Sequence, residues 1–240
     1  MFLMFFTSCK TFKLTGEYLD NPPSVVPKVA LSTDLNRNNW QHLDPINDSV
    51  PGMSVDKAYT ELIKDSEGQT VVVAVLDTVI DIKHEELKGN IWTNKKEIPG
   101  NNIDDDKNGF VDDVYGWNFL GEAYYEQLEL TRLLGKGEDF PEKEDAQKDY
   151  DKRLSEARGE QTLKYYLNYD FKGRTTGDDP DNFDQTYYGD NKVEHSREDE
   201  SHGTHVAGII AAARNNNLGM KGVANNVQIM TLRVVPYGDE

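Results

Sequence analysis

The sequence lacks a second cysteine. Cys9 stands alone, so no disulfide can close within the chain. No apolar run reaches the ~18 residues that a membrane-spanning helix needs. Basic residues are scarce: Lys and Arg total 26 against 43 Asp and Glu, giving a formal net charge of -17. A phosphate-backbone binder needs a basic face, which argues against nucleic acid as a partner. The acidic surplus suits cation binding and solubility instead. What remains is 240 residues, 37% hydrophobic and 29% charged, with a mean hydropathy of -0.72. That is polar for a globular protein, yet long enough for one large domain or two small ones around a sizeable core.

The first residues, Met1 to Lys10, hold a short apolar block ending Phe6-Thr7-Ser8-Cys9. The block is too short for a full signal peptide, and no basic segment precedes it. It is similar to the tail of a bacterial lipoprotein signal, where small residues precede a cysteine that becomes lipidated. A start site placed too far downstream would explain the missing basic residues. The expectation is a secreted or cell-envelope bacterial lipoprotein, reaching the membrane only through lipid on Cys9. The alternative is an ordinary start with an incidental thiol.

Residues 10–50 include Asn21-Pro22-Pro23 and show no clear periodicity, so they read as a tether. A domain then runs over 51–240. Ser54 is placed to cap a helix, with Asp56 in its first turn and Ala58, Leu62 and Ile63 at helical spacing. Val71 to Leu76 is a continuous apolar, β-branched run ending at Asp77. Such a run belongs in a parallel sheet covered on both faces. Residues from about 121 to 200 read as a largely helical surface insertion. Tyr125, Leu128, Leu133 and Leu134 suggest an amphipathic helix; Glu142 to Arg158 is rich in charge and helix formers; Gly177-Asp178-Asp179-Pro180 is a turn. For 135–160 a flexible charged linker remains the alternative.

Ser201-His202-Gly203-Thr204-His205 opens another helix, with Val206, Ile209, Ile210 and Ala213 as its apolar positions. Gly203 and Gly208 would permit close packing. Val227 to Val235 reads as a further buried strand. Strand, long crossover, helix and strand give an α/β sandwich with a parallel sheet.

Two residues sit where chemistry is placed in such folds. Asp77 lies at the carboxyl end of the apolar strand, held by a rigid element, where it can orient a histidine. Read by itself, Asp77 would be a turn or capping residue. His202 lies in the first turn of its helix, where it is held firmly and can face a cleft, while His205 reads as a packed core histidine. A zinc pair of His202 and His205, assisted by Glu198, Asp199 or Glu200, is the competing reading; its spacing is not the usual one for helical zinc ligands.

Val73-Ala74-Val75-Leu76-Asp77-Thr78, followed by Asp81, His84 and Leu87, resembles the catalytic-aspartate region of subtilisin-like serine peptidases. His202-Gly203-Thr204-His205-Val206-Ala207-Gly208 resembles their catalytic-histidine region, and Gly219-Met220-Lys221-Gly222-Val223-Ala224 matches the next segment of that family. The order Asp before His agrees. The resemblance covers about 54–120 and 200–235. It implies a three-layer α/β sandwich with a parallel sheet, incomplete at its carboxyl end. It also implies an endopeptidase acting on polypeptides, with Asp77 as orienter and His202 as general base. Two departures stand out. Val79 occupies a position that is usually glycine. The family's nucleophilic serine, in a Gly-Thr-Ser-Met-Ala setting, and its oxyanion-hole asparagine lie later in the chain and have no match before Glu240. The 240 residues by themselves are therefore expected to cleave nothing.

A third constellation is Asn102 to Asp113. Asp104, Asp106 and Asn108 alternate as ligands do in a calcium loop, Gly109 supplies the sharp turn, Phe110 offers a carbonyl, and Asp112 falls at the ninth position. Tyr115 stands where an EF-hand needs glutamate, and Asp113 is a candidate replacement. A structural calcium ion is expected; the plain alternative is a solvated acidic hairpin. Three functions compete: the serine endopeptidase, a noncatalytic calcium-binding surface module on a peptidase scaffold, and a metal-dependent hydrolase using His202 and His205.

Overall fold

The computed structural model describes residues 38–236 apart from 65, 67, 126, 138, 159–161, 171–178, 180, 181, 195–200 and 215. Cys9, most of the expected tether, Gly177, Asp178, Pro180 and Glu198 to Glu200 lie outside the described residues.

Among the described residues, the centre is a three-stranded parallel sheet of β1 (Val71–Asp77), β2 (Gly116–Asn118) and β3 (Val227–Arg233), in the order β1-β3-β2. Register puts Asp77, Arg233 and Asn118 side by side at the carboxyl ends. The β-branched valines of β1 favour the extended backbone. Val75 and Ile229 turn the same way and meet Ala207 and Ala211 of a helix, α4 (His202–Ala211), together with Ile80 and Leu87. The parallel α/β architecture expected from the sequence is present in incomplete form. Of the described residues, α4 lies against one face. On the other face Val72 and Leu76 are exposed, so the expectation that β1 is buried on both sides holds for one side only.

Three details differ from the sequence reading. Ser54 does not cap the short helix α1 (Val55–Ala58): it sits at φ 60° and its hydroxyl donates to Asp44 Oδ2 at 2.8 Å. Leu62, just beyond, is exposed. Residues 38–50 are packed rather than extended, with His42 and Val50 buried. Along α4 the core-facing positions are Gly203, Ala207 and Ala211, flanked by Val206 and Ile210, while Ile209 is exposed. The apolar periodicity is shared between two faces, and small residues take the inner one because the helix approaches β1 closely.

Within the charged region, α2 (Glu129–Lys136) and α3 (Lys143–Glu156) form. Tyr150 is buried, stacks on Tyr169 at 4.7 Å between ring centroids, and donates its hydroxyl to the Leu167 carbonyl at 2.9 Å. Tyr125 stacks on Tyr165 at 4.0 Å. These aromatic contacts give the helices a small apolar centre of their own.

Candidate active site

β1 delivers Asp77 to the end of the sheet, and α4 begins there with His202. Their side chains meet: His202 Nδ1 lies 2.7 Å from Asp77 Oδ1, across 125 positions of sequence. The Asp77 side chain is 12% exposed and that of His202 53%, so a sheltered carboxylate holds one edge of a ring that still reaches solvent. Asp77 Oδ1 also accepts the Thr78 N–H at 2.7 Å. The Asp77 carbonyl accepts the N–H groups of Val234 and Val235, which ties this strand end to the segment after β3.

Glycine at 203 is a steric requirement. A Cβ there would lie 2.7 Å from the Val79 carbonyl oxygen and 2.8 Å from that of Thr78. Gly208 has nothing within 4 Å of such a Cβ, so the close approach expected at both glycines occurs at Gly203 alone. Val79 is buried and keeps a negative φ, so the turn after Asp77 accepts a side chain where the resemblance had glycine.

His205 is not a packed core residue. It is exposed and, with His84, Leu87, Ile209 and Met220, lines an apolar cavity of about 330 Å³ on the outer side of α4. Of the two histidines in the competing zinc pair, His202 meets Asp77 and His205 faces this cavity.

The acidic loop folds around its own carboxylates. Asp104 accepts the N–H groups of Asn108 and Gly109, and Asp106 also accepts that of Asn108. Gly109 has φ 98°, and a Cβ on it would strike the Tyr187 ring, which accounts for the glycine expected at the turn. Phe110 donates its N–H to Asn108 Oδ1, and its ring packs edge-on against Trp117 at 5.0 Å. Carboxylate oxygens of Asp104, Asp106 and Glu97 lie within 4.8 Å of one another. Glu97 is buried and goes unnoticed in the sequence because it precedes the loop; its Oε1 accepts the N–H groups of Asp105 and Asp106 and its Oε2 that of Asp112. Asp112, expected as a ligand, lies outside this group, and its two oxygens accept the N–H groups of Gly100 and Asn102. Burial pushes the Asp113 carboxyl above its ordinary value. Hydrogen bonds from Asn94 and Asn108 oppose that rise, while the charges of Asp106 and Asp104 add to it.

A model of the subtilase family of peptidases matches residues 68–240. The chain belongs to the subtilase family. Subtilases are serine peptidases, which sets the class of chemistry at family level. Among relatives, subtilisin-like protease 1 of Plasmodium falciparum (isolate 3D7) is 26% identical over 176 residues, covering 73% of this chain and 15% of that protein. The protein of the same name from Plasmodium berghei (strain Anka) is 42% identical over 64 residues, covering 26% of this chain and 11% of the relative. That from Plasmodium vivax is likewise 42% identical over 64 residues, covering 10% of its own length. The matched region thus spans a small fraction of each relative. These relatives are eukaryotic, and that finding corrects the bacterial lipoprotein localisation expected from the amino terminus.

Proposed function

We propose that this subtilase chain supplies the orienting aspartate and the general-base histidine of a serine endopeptidase. The observation that carries the reading is the 2.7 Å contact between Asp77 Oδ1 and His202 Nδ1 at the carboxyl end of the sheet. With Asp77 accepting the Nδ1 proton, the ring is fixed in the tautomer whose Nε2 carries a lone pair. Nε2 takes the proton of a serine hydroxyl as that oxygen attacks the peptide carbonyl, then returns it to the leaving amine. The carboxylate stabilises the imidazolium formed between the two transfers. A serine nucleophile and an oxyanion-hole donor complete the proposed chemistry, and the substrates are polypeptides.

A calcium ion fits the acidic loop as a structural ligand. Hard oxygen donors suit it, and the grouped carboxylates of Glu97, Asp104 and Asp106 repel one another without a cation. Asn108 and the Phe110 carbonyl complete the proposed set; Asp112 supports the loop through its amide contacts instead.

The test is casein hydrolysis. The 240-residue chain should be inactive, and the intact gene product active until His202→Ala is introduced. An intact product that binds calcium and cleaves nothing would instead favour the noncatalytic module, and full activity in His202→Ala would end the proposed role of His202.

A further inference from the structure

We propose that the Thr78 hydroxyl is a positioning group that holds His202 in register with Asp77. The inference rests on the reading of Asp77 and His202 as orienter and base. Thr78 is buried at the turn after β1. Its N–H donates to Asp77 Oδ1 at 2.7 Å, the same oxygen that His202 Nδ1 meets at 2.7 Å. Its hydroxyl oxygen accepts the Gly203 N–H at 2.9 Å, in a buried contact across 125 positions. One residue therefore touches the carboxylate with its backbone and the residue after the histidine with its side chain.

The second contact fills a specific vacancy. The first amides of a helix have no partner within the helix and need an acceptor from elsewhere. Ser201, the residue that would normally cap α4, makes no side-chain capping bond. Thr78 caps the helix from the strand, so the height and rotation of its first turn are set by the same turn that sets the carboxylate. Gly203 makes this possible, since any Cβ would lie 2.8 Å from the Thr78 carbonyl oxygen. Asp81 N–H donates to Thr204 Oγ1 at 2.9 Å, a second stitch between the same two segments. Loss of the Thr78 hydroxyl leaves the first turn free to shift while Asp77 stays put, and a displacement of about 1 Å at a catalytic group can cost on the order of 10²-fold in rate.

The experiment compares Thr78→Val and Thr78→Ser in the intact protein. Valine keeps the branched shape and the backbone N–H but removes the hydroxyl; serine keeps the hydroxyl. With a peptide substrate, Thr78→Val should lower kcat by about 10²-fold with little change in KM, and Thr78→Ser should restore most of it. Histidine ¹⁵N NMR gives a readout independent of activity: His202 should be the Nδ1–H tautomer in wild type and Thr78→Ser, and a mixture in Thr78→Val. An inactive wild type would remove the peptidase reading yet leave the NMR comparison decisive for Thr78. Identical tautomers in wild type and Thr78→Val, or unchanged kcat in Thr78→Val, would overturn the proposal. If Thr78→Val does not fold, Thr78→Ser decides: near-wild-type kcat and tautomer support it, and a tenfold loss of kcat overturns it.

Discussion

His42 and Arg214 meet through the ring nitrogen that a proton would occupy: His42 Nδ1 faces Arg214 Nη1 at 3.4 Å, while its Nε2 lies 2.8 Å from the Lys221 carbonyl oxygen. The neutral ring donates from Nε2 and accepts at Nδ1. A cationic ring would set an N–H against the guanidinium. Burial lowers the pKa of His42 below 6.5; the charges of Arg214 and Lys221 lower it further, against the Lys221 carbonyl and Asp56, which raise it. Folding therefore favours the neutral ring. Its contribution is complete above the unfolded value of about 6.5 and declines as pH falls from there toward the lower folded value. Melting temperature measured from pH 7.5 down to 5 should show this decline. In His42→Gln, which keeps a donor for Lys221 and cannot be protonated, the corresponding component should vanish; an unchanged pH profile would refute the assignment.

Removing either half of the Asp77–His202 pair should abolish useful turnover without unfolding the protein. His202→Ala is expected to cost on the order of 10⁶-fold in kcat and Asp77→Asn on the order of 10⁴-fold, the magnitudes seen when base and orienter are removed from serine peptidases, subtilisin among them. Peptide hydrolysis by the intact product, with circular dichroism as the folding control, measures both.

Calcium at 100 times its dissociation constant should stabilise the folded chain by about 2.7 kcal/mol, read as a rise in melting temperature. Asp104→Ala with Asp106→Ala should remove the rise, and Glu97→Gln should reduce it. Asp112→Ala should lower the melting temperature with or without calcium, because it strips acceptors from Gly100 and Asn102, but the calcium response should survive. A response lost in Asp112→Ala and retained in Glu97→Gln would reverse the assignment of those two residues.

The two glycines of α4 should behave oppositely. Gly203→Ala forces a Cβ against two backbone carbonyl oxygens, an overpacking expected to cost about 1–3 kcal/mol. Gly208→Ala meets open space in a helix interior and should stabilise by about 0.5–1 kcal/mol. Urea titration of the two variants checks the contrast.

Asp77 and His202 are legible because each sits in a motif whose local form, strand end or helix start, is written in adjacent residues. Their meeting is legible only through the family resemblance, since a separation of 125 positions leaves no local sign of it. Glu97 escapes because ligand spacing is read within a loop, and a carboxylate arriving from outside leaves no periodic trace. His205 departs from its expected core position for another reason. Apolar neighbours in sequence do not fix which side of a helix faces the core, and at α4 the narrow gap to β1 reserves that side for glycine and alanine. The capping of α4 by Thr78 rather than Ser201 is likewise a tertiary contact that no reading of the helix alone contains.

The strand order imposes a sequence in time. β3 lies between β1 and β2, yet it is the last of the three to be synthesised. Thr70 and Asn226, whose side chains bond where β1 and β3 begin, are 156 positions apart. At about 5–20 residues per second of synthesis, β1 leaves the ribosome roughly 8–30 s before the strand it pairs with. Through that interval neither outer strand has its partner, and Val71 to Leu76 is an unpaired apolar segment of the kind that chaperones bind. The sheet, the His202 helix and the Asp77 contact therefore become available almost together, as the last stretch of this region emerges.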